Sequence, residues 1–137
     1  MQQYLCKQFV QVGEENFEDY LIFIGKGYLA RKAALNLRPT LVLTKDEFGT
    51  YTLSFRSALI SSSIIFTPGE EFDEVKPDGV KVRAKIEIAG NKLIHTQTEE
   101  NGRSSLHIRE YFDDRMIITT TAGGLEKTAI RYFELVR

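Results

Sequence analysis

Beyond residue 40 the chain alternates apolar and polar positions in short runs, the period of an extended strand with two different faces. The runs cover 40–45, 50–56, 61–67, 70–75, 80–88, 92–98, 104–112, 115–121 and 128–136. Turn chemistry separates them, with Pro68-Gly69, Pro77-Asp78-Gly79, Gly90-Asn91, Asn101-Gly102 and Gly123-Gly124 among the breaks. With a further run at 4–12, about ten strands at even spacing are expected, which predicts an all-β antiparallel up-and-down meander closed into a barrel. Several strands are mixed on both faces. Ser61-Ser62-Ser63 and Thr119-Thr120-Thr121 place hydroxyls on both sides, which suits a barrel around a hydrated hollow better than one around a dry core.

One region carries the helical period instead. Phe17, Tyr20, Leu21 and Ile24 follow i, i+3, i+4, i+7 spacing, with Asn16 as the expected N-cap and Glu18 and Asp19 in the first turn. Gly25 and Gly27 interrupt this stretch, and a second one rich in Ala and Leu runs over 28–37, ending before Pro39. A pair of helices at about 16–24 and 28–37 is therefore inserted after the first strand. Its helix-turn-helix outline is a poor candidate for DNA, because the second stretch has few base-reading side chains and the remaining chain is β. A net charge of −1 also lacks the basicity of a nucleic-acid footprint.

The last run carries the chain's sharpest anomaly. Alternation puts Ala129, Arg131, Phe133 and Leu135 on one face, so a guanidinium stands among apolar side chains. Burying it without a partner is very costly. Either Arg131 escapes to the rim, or it faces a wet interior that awaits an anion. Arg109 reads differently: it shares a face with His107 and Tyr111 while Leu106 and Ile108 lie opposite, so periodicity alone sends it outward.

At 137 residues one domain spanning 1–137 is expected, and the single cysteine, Cys6, excludes an internal disulfide. Residues 1–13 hold no signal-like apolar run and no stretch approaches the ~18 apolar residues of a membrane helix, so a soluble intracellular protein is expected. His95 and His107 are the only histidines and lack a third ligand at metal spacing. There is no Gly-x-Ser-x-Gly elbow and no phosphate loop, so neither an enzyme, nor a metal, nor a cofactor is expected.

The chain resembles the intracellular lipid-binding proteins, the family of fatty-acid-binding and retinoid-binding proteins within the calycin superfamily. The likeness spans nearly the whole chain. It rests on the order and spacing of Asn16-Phe17-Glu18-Asp19-Tyr20, Gly25-Lys26-Gly27-Tyr28, Ala30-Arg31-Lys32, Gly69-Glu70-Glu71-Phe72-Asp73-Glu74, Leu93-Ile94-His95-Thr96-Gln97, Ile108-Arg109-Glu110 and Arg131. The resemblance implies a ten-stranded lipocalin-like barrel with a helix-turn-helix lid, holding a long-chain fatty acid or similar acidic lipid. It also implies that arginines in the eighth and last strands engage the carboxylate together with a tyrosine two residues after the second; here these positions are Arg109, Arg131 and Phe133. The usual hydroxyl is thus absent, and the neighbouring Tyr132 reaches the cavity only if a bulge turns it inward. Phe9 stands where the family's first strand has tryptophan, and the loop at 123–127 is about two residues longer than usual.

In the family register His95, Gln97 and His107 face the cavity, and an expected apolar lining comes from Phe17, Tyr20, Leu21, Ala34, Leu37, Phe55, Leu59, Ile118 and Phe133. The function so implied is a cytoplasmic, monomeric, non-enzymatic carrier of a fatty acid, an acyl ethanolamide or a retinoid. Lys26, Arg31 and Lys32 make the lid basic, which suggests membrane docking; the resemblance implies, as an alternative function, a nuclear-import surface for delivery of lipid to a nuclear receptor.

Overall fold

The computed structural model describes residues 1–137. A short 3-10 turn at Gln2–Tyr4 leads into β1 (Gln8–Glu15), α1 (Phe17–Phe23) and α2 (Tyr28–Asn36). Nine strands follow: β2 (Thr40–Lys45), β3 (Tyr51–Arg56), β4 (Ser61–Phe66), β5 (Glu71–Val75), β6 (Lys81–Ala89), β7 (Lys92–Thr98), β8 (Ser104–Tyr111), β9 (Arg115–Ala122) and β10 (Ala129–Leu135). They form one ten-stranded sheet in the order β4-β3-β2-β1-β10-β9-β8-β7-β6-β5. Every ladder is antiparallel, and β1 joins the two arms by pairing with β2 on one side and β10 on the other. No ladder connects β4 to β5, so the barrel is closed except for that seam.

The first strand starts later than its apolar pattern suggests. Cys6 sits at φ 65, a left-handed conformation that breaks an extended chain. Residues 2–4 instead curl beneath the barrel, where Tyr4 is buried and stacks on Tyr111 with ring centroids 5.5 Å apart. Phe9 meets the same tyrosine edge-on at 5.5 Å. With Leu43, Leu53, Phe66, Ile86, Leu93 and Met116, these side chains form the main apolar core and plug one end. Fully burying such side chains stabilises by about 1.5–3 kcal/mol each before entropy is counted.

The helices close the opposite end unevenly. On α1, Phe17, Tyr20 and Leu21 are buried and join Ile24 and Ala129 in a second cluster, whereas α2 buries no residue fully. The N-terminus of α1 is capped by Glu14, whose carboxylate accepts from the Phe17 N–H at 3.0 Å. Asn16 is not that cap. It adopts φ 57 and its amide donates to the Thr128 carbonyl at 3.2 Å, tying the helix entrance to the segment before β10. At the other end of α1, Arg103 donates to the carbonyls of Phe23 (2.7 Å) and Ile24 (3.0 Å) while paired with Glu99, a cation placed where the helix dipole is negative.

Candidate ligand-binding site

Strand register arranges the inner wall in rows. Nearest the plug, Tyr111, Met116 and Phe133 stand side by side on β8, β9 and β10, all buried. One row nearer the helices come Leu93, Arg109, Ile118 and Arg131; the next is His95, His107, Thr120 and Ala129. Gln97, Ser105 and Ala122 follow. The wall thus turns from apolar to polar on the way to the lid. Ile118 separates the two arginines, whose Cα atoms are roughly 10 Å apart by ordinary strand spacing.

A cavity of about 350 Å³ occupies the space between these rows and the helices. Phe17, Tyr20, Leu21, Ala34 and Leu37 face it from the lid end, and Leu41, Leu53, Phe55 and Ile64 face it from the other arm of the sheet. Gln11, Glu74, Gln97, His107, Arg109 and Arg131 supply the polar part. The size suits a small-molecule site, and the lining is largely apolar with converging polar groups.

The polar groups form one directed network. Arg109 can only donate, so its Nη1, 2.9 Å from His95 Nδ1, makes that nitrogen an acceptor. His95 therefore carries its proton on Nε2 and donates to Glu74 Oε1 at 2.7 Å. Gln97 Nε2 donates to Glu74 Oε2 at 2.9 Å, which leaves the Gln97 carbonyl to accept from His107 Nε2 at 2.8 Å. Thr120 then donates its hydroxyl to His107 Nδ1 at 2.7 Å. Every proton points toward Glu74. Burial lowers the pKa of His95, and it lowers that of His107 well below the usual range, so both rings are neutral as the network requires. Burial alone would raise Glu74, but hydrogen bonds from His95 and Gln97 and nearby positive charge outweigh it and hold the carboxylate ionised.

Arg131 has no such partner. Its guanidinium lies 4.6 Å over the Phe17 ring, its Nε is buried with no hydrogen-bond partner, and its accessible surface opens into the cavity. Burial, with a smaller contribution from Arg109, brings its pKa down to about 10, so it remains a cation at neutral pH. Arg109 Nε is likewise without a partner. The inner part of the cavity therefore carries two guanidinium charges and one carboxylate, an excess of one positive charge, while Lys26, Lys76 and Asp78 line it nearer the rim. At the rim, Lys26 is paired with Asp78, and Lys76 lies within the electrostatic influence of Glu99.

Arg109, Arg131, His107 and Gln97 come together around this cavity. Tyr132 does not. The bulge lies on β1 between Gln11 and Gly13, opposite Phe133 and Tyr132, so β10 keeps its alternation and the Tyr132 hydroxyl donates to Glu15 at 3.0 Å on the outside. Phe17, Tyr20, Leu21, Ala34, Leu37 and Phe55 line the cavity, but four of the expected lining residues stand elsewhere. Ile118 and Phe133 are packed into the apolar core nearer the plug. His95 is wholly buried behind the cavity wall, where it links Arg109 to Glu74. Leu59 is 85% exposed in the turn between β3 and β4, directed to solvent. Lys26 lines the cavity rim, while Arg31 and Lys32 both pair with Glu18. Phe23 is partly buried against the lid cluster, as is Leu125 of the long loop.

Glu74 is the site residue that sequence reasoning missed. Its signal is parity: on β5 it shares a face with Phe72, while Glu71, Asp73 and Val75 take the other. Its partners stand on β7, 21 and 23 residues away, so only the fold brings them together.

The comparisons agree with this architecture. No protein-family model matches the chain. The muscle fatty-acid-binding protein of Schistocerca gregaria is 36% identical over 118 residues, covering 85% of this chain and 87% of that protein. A crystal structure of the fatty-acid-binding protein in brain tissue of Drosophila melanogaster is 33% identical, with a TM-score of 0.86 over 96% of this chain and 98% of that one. The Schistosoma mansoni fatty-acid-binding protein in complex with arachidonic acid is 28% identical, with a TM-score of 0.91 over 100% of this chain and 98% of that one. With this barrel, this helical lid and relatives at this identity over most of its length, the chain belongs to the intracellular lipid-binding family, that of the fatty-acid-binding proteins.

Proposed function

We propose that this protein is a non-enzymatic, monomeric carrier that holds one long-chain fatty acid with its carboxylate on Arg131 and its tail among the lid and β2–β4 side chains. The observation that carries this reading is Arg131, a guanidinium with a buried Nε and no acid or hydrogen-bond partner, facing a largely apolar cavity. A monoanionic head group neutralises Arg131 through charge-assisted hydrogen bonds, and the buried Nε of Arg109 offers another donor. Most of the affinity comes from the tail, at about 0.8 kcal/mol per buried CH₂, partly offset by ordering a flexible chain. The relatives named for fatty-acid binding, and the one solved with arachidonic acid, favour the same ligand class.

Release and loading run through the lid in this reading. Tyr28 and Leu29 on α2 are exposed, with the cations of Arg31 and Lys32 beside the Tyr28 ring, which supports transient contact with a membrane surface from the cytoplasm. The alternative outlet, a nuclear receptor reached through Lys26, Arg31 and Lys32, finds those charges already paired with Asp78 and Glu18. It predicts ligand-dependent nuclear accumulation that disappears when all three are changed to alanine; unchanged distribution rejects it. The carrier reading is tested by native mass spectrometry of purified protein, followed by titration of the delipidated chain with palmitate and methyl palmitate. One bound fatty acid per chain and preference for the acid support it, whereas equal affinity for acid and ester contradicts the head-group assignment.

A further inference from the structure

We infer that Glu74 sets the charge class of the ligand: by neutralising Arg109 through His95, it reserves the cavity for a lipid head with one negative charge and turns away a dianionic head such as an alkyl phosphate. This deepens the carrier reading and rests on it.

The geometry makes the two arginines unequal. Arg109 and Arg131 flank Ile118 in the same row, so neither position alone favours one of them. Glu74 breaks that symmetry. His95 stands between Glu74 and Arg109, 2.7 Å from one and 2.9 Å from the other, and passes the carboxylate's compensation to the guanidinium without direct contact. Gln97 fixes the second Glu74 oxygen, so the carboxylate cannot turn away. Without Glu74, the cavity would hold two uncompensated cations and would match a dianion.

With Glu74 in place, a monoanion on Arg131 brings the deep cavity to neutrality. In the row of Arg109 and Arg131 a second negative charge finds no further cation: Lys76 stands at the rim, and Glu74 itself lines the cavity. Buried unpaired charge is expensive, so discrimination against a dianion follows from charge count.

The groups facing this centre are Glu74 on β5, His95 on β7, His107, Arg109 and Tyr111 on β8, Arg131 on β10 and Tyr20 on α1, with Lys76 at the rim. Burial keeps both histidines neutral and both tyrosines protonated near neutral pH. The second ionisation of a phosphate head falls near pH 6, so raising the pH through that value adds the second negative charge to the ligand.

The test compares palmitate, hexadecyl phosphate and hexadecanol on the delipidated full chain. In wild type, hexadecyl phosphate should weaken roughly tenfold relative to palmitate as the phosphate takes its second charge between about pH 5.5 and 8. Glu74→Gln should abolish the weakening and improve the phosphate-to-palmitate ratio by roughly tenfold at pH 8. Glu74→Asp, which keeps the charge, should retain wild-type discrimination. Hexadecanol, which carries no charge, is the reference against which the affinities of the two acids are compared in each folded variant.

Unchanged discrimination in Glu74→Gln overturns the inference, as does equal loss of discrimination in Glu74→Asp. If Glu74→Gln does not fold, the wild-type pH series decides: phosphate binding that fails to weaken on second ionisation overturns it. Failure of the underlying carrier reading looks different, since wild type would then bind none of the three lipids.

Discussion

The two ends of the barrel are built on opposite principles. At the plugged end Tyr4, Phe9, Tyr111, Met116 and Phe133 are all buried, stacked ring against ring and ring against sulfur-bearing or aliphatic neighbours. At the lid end α2 buries nothing fully, Leu29 is 81% exposed and Tyr28 also stands in solvent. Between them the polar rows hold the cavity. Stability is thus gathered at the plugged end, and the lid, the proposed route of the lipid, is the less buried end. Low local stability is what a gate requires.

The largest expected effect that tests this division is Phe9→Ala, which should cost about 3–5 kcal/mol in chemical denaturation because a fully buried ring leaves a cavity in a packed plug. A loss below about 1 kcal/mol would mean that the plugged end does not carry the fold. Next is Arg103→Ala, which removes the tether from the turn between β7 and β8 to the end of α1. A loss of about 1–2 kcal/mol is expected, with faster hydrogen exchange in amides 17–24 and faster ligand release. Unchanged exchange there would show that Arg103 does not hold the lid.

Acidification should weaken the middle rows in a way that neither end shares. His95 and His107 have depressed pKa values when folded, so below pH ~6.5 the unfolded chain binds more protons and stability falls with falling pH. Glu74, also depressed by its hydrogen bonds despite its burial, adds a further loss below its ordinary carboxylate range. Thermal denaturation across pH 7 to 5, as conditions, should show the melting temperature dropping, and His107→Gln should flatten the slope. A His107→Gln slope equal to wild type would contradict the neutral-ring network. The smallest effect belongs to Leu29→Ala, within about 0.5 kcal/mol in stability but slower in transfer of lipid to vesicles.

Much of this was legible in the chain. Period-two alternation and turn residues locate the strands of the barrel, and the parity of β10 exposes Arg131 as a charge on an apolar face. Arg109 was not legible in that way. Both faces of β8 carry large apolar groups, and the inward one is Ser105, His107, Arg109 and Tyr111, so alternation points the wrong way until the strand is placed against β7 and β9. Glu74 hid for a different reason: it is one of four acids within 70–74, and its burial depends on partners a whole hairpin away. The late start of β1 depends on the left-handed backbone at Cys6, which no apolar pattern encodes. Phe133 matches the position of a head-group tyrosine, yet its row lies one step closer to the plug than the arginines. Local pattern thus reports which face a side chain takes, and only the assembled register reports its depth.

Arg131 is the cation of the inner cavity that has neither an acid nor a hydrogen-bond partner. Dissociation constants for palmitate and methyl palmitate, measured on wild type and Arg131→Ala, test its head-group role most directly. Loss of a charge-assisted contact of about 1.5–3 kcal/mol predicts that palmitate weakens roughly 10- to 100-fold while the ester stays within about twofold. Equal weakening of acid and ester would contradict the head-group role, because it would make Arg131 a wall residue rather than the seat of the carboxylate.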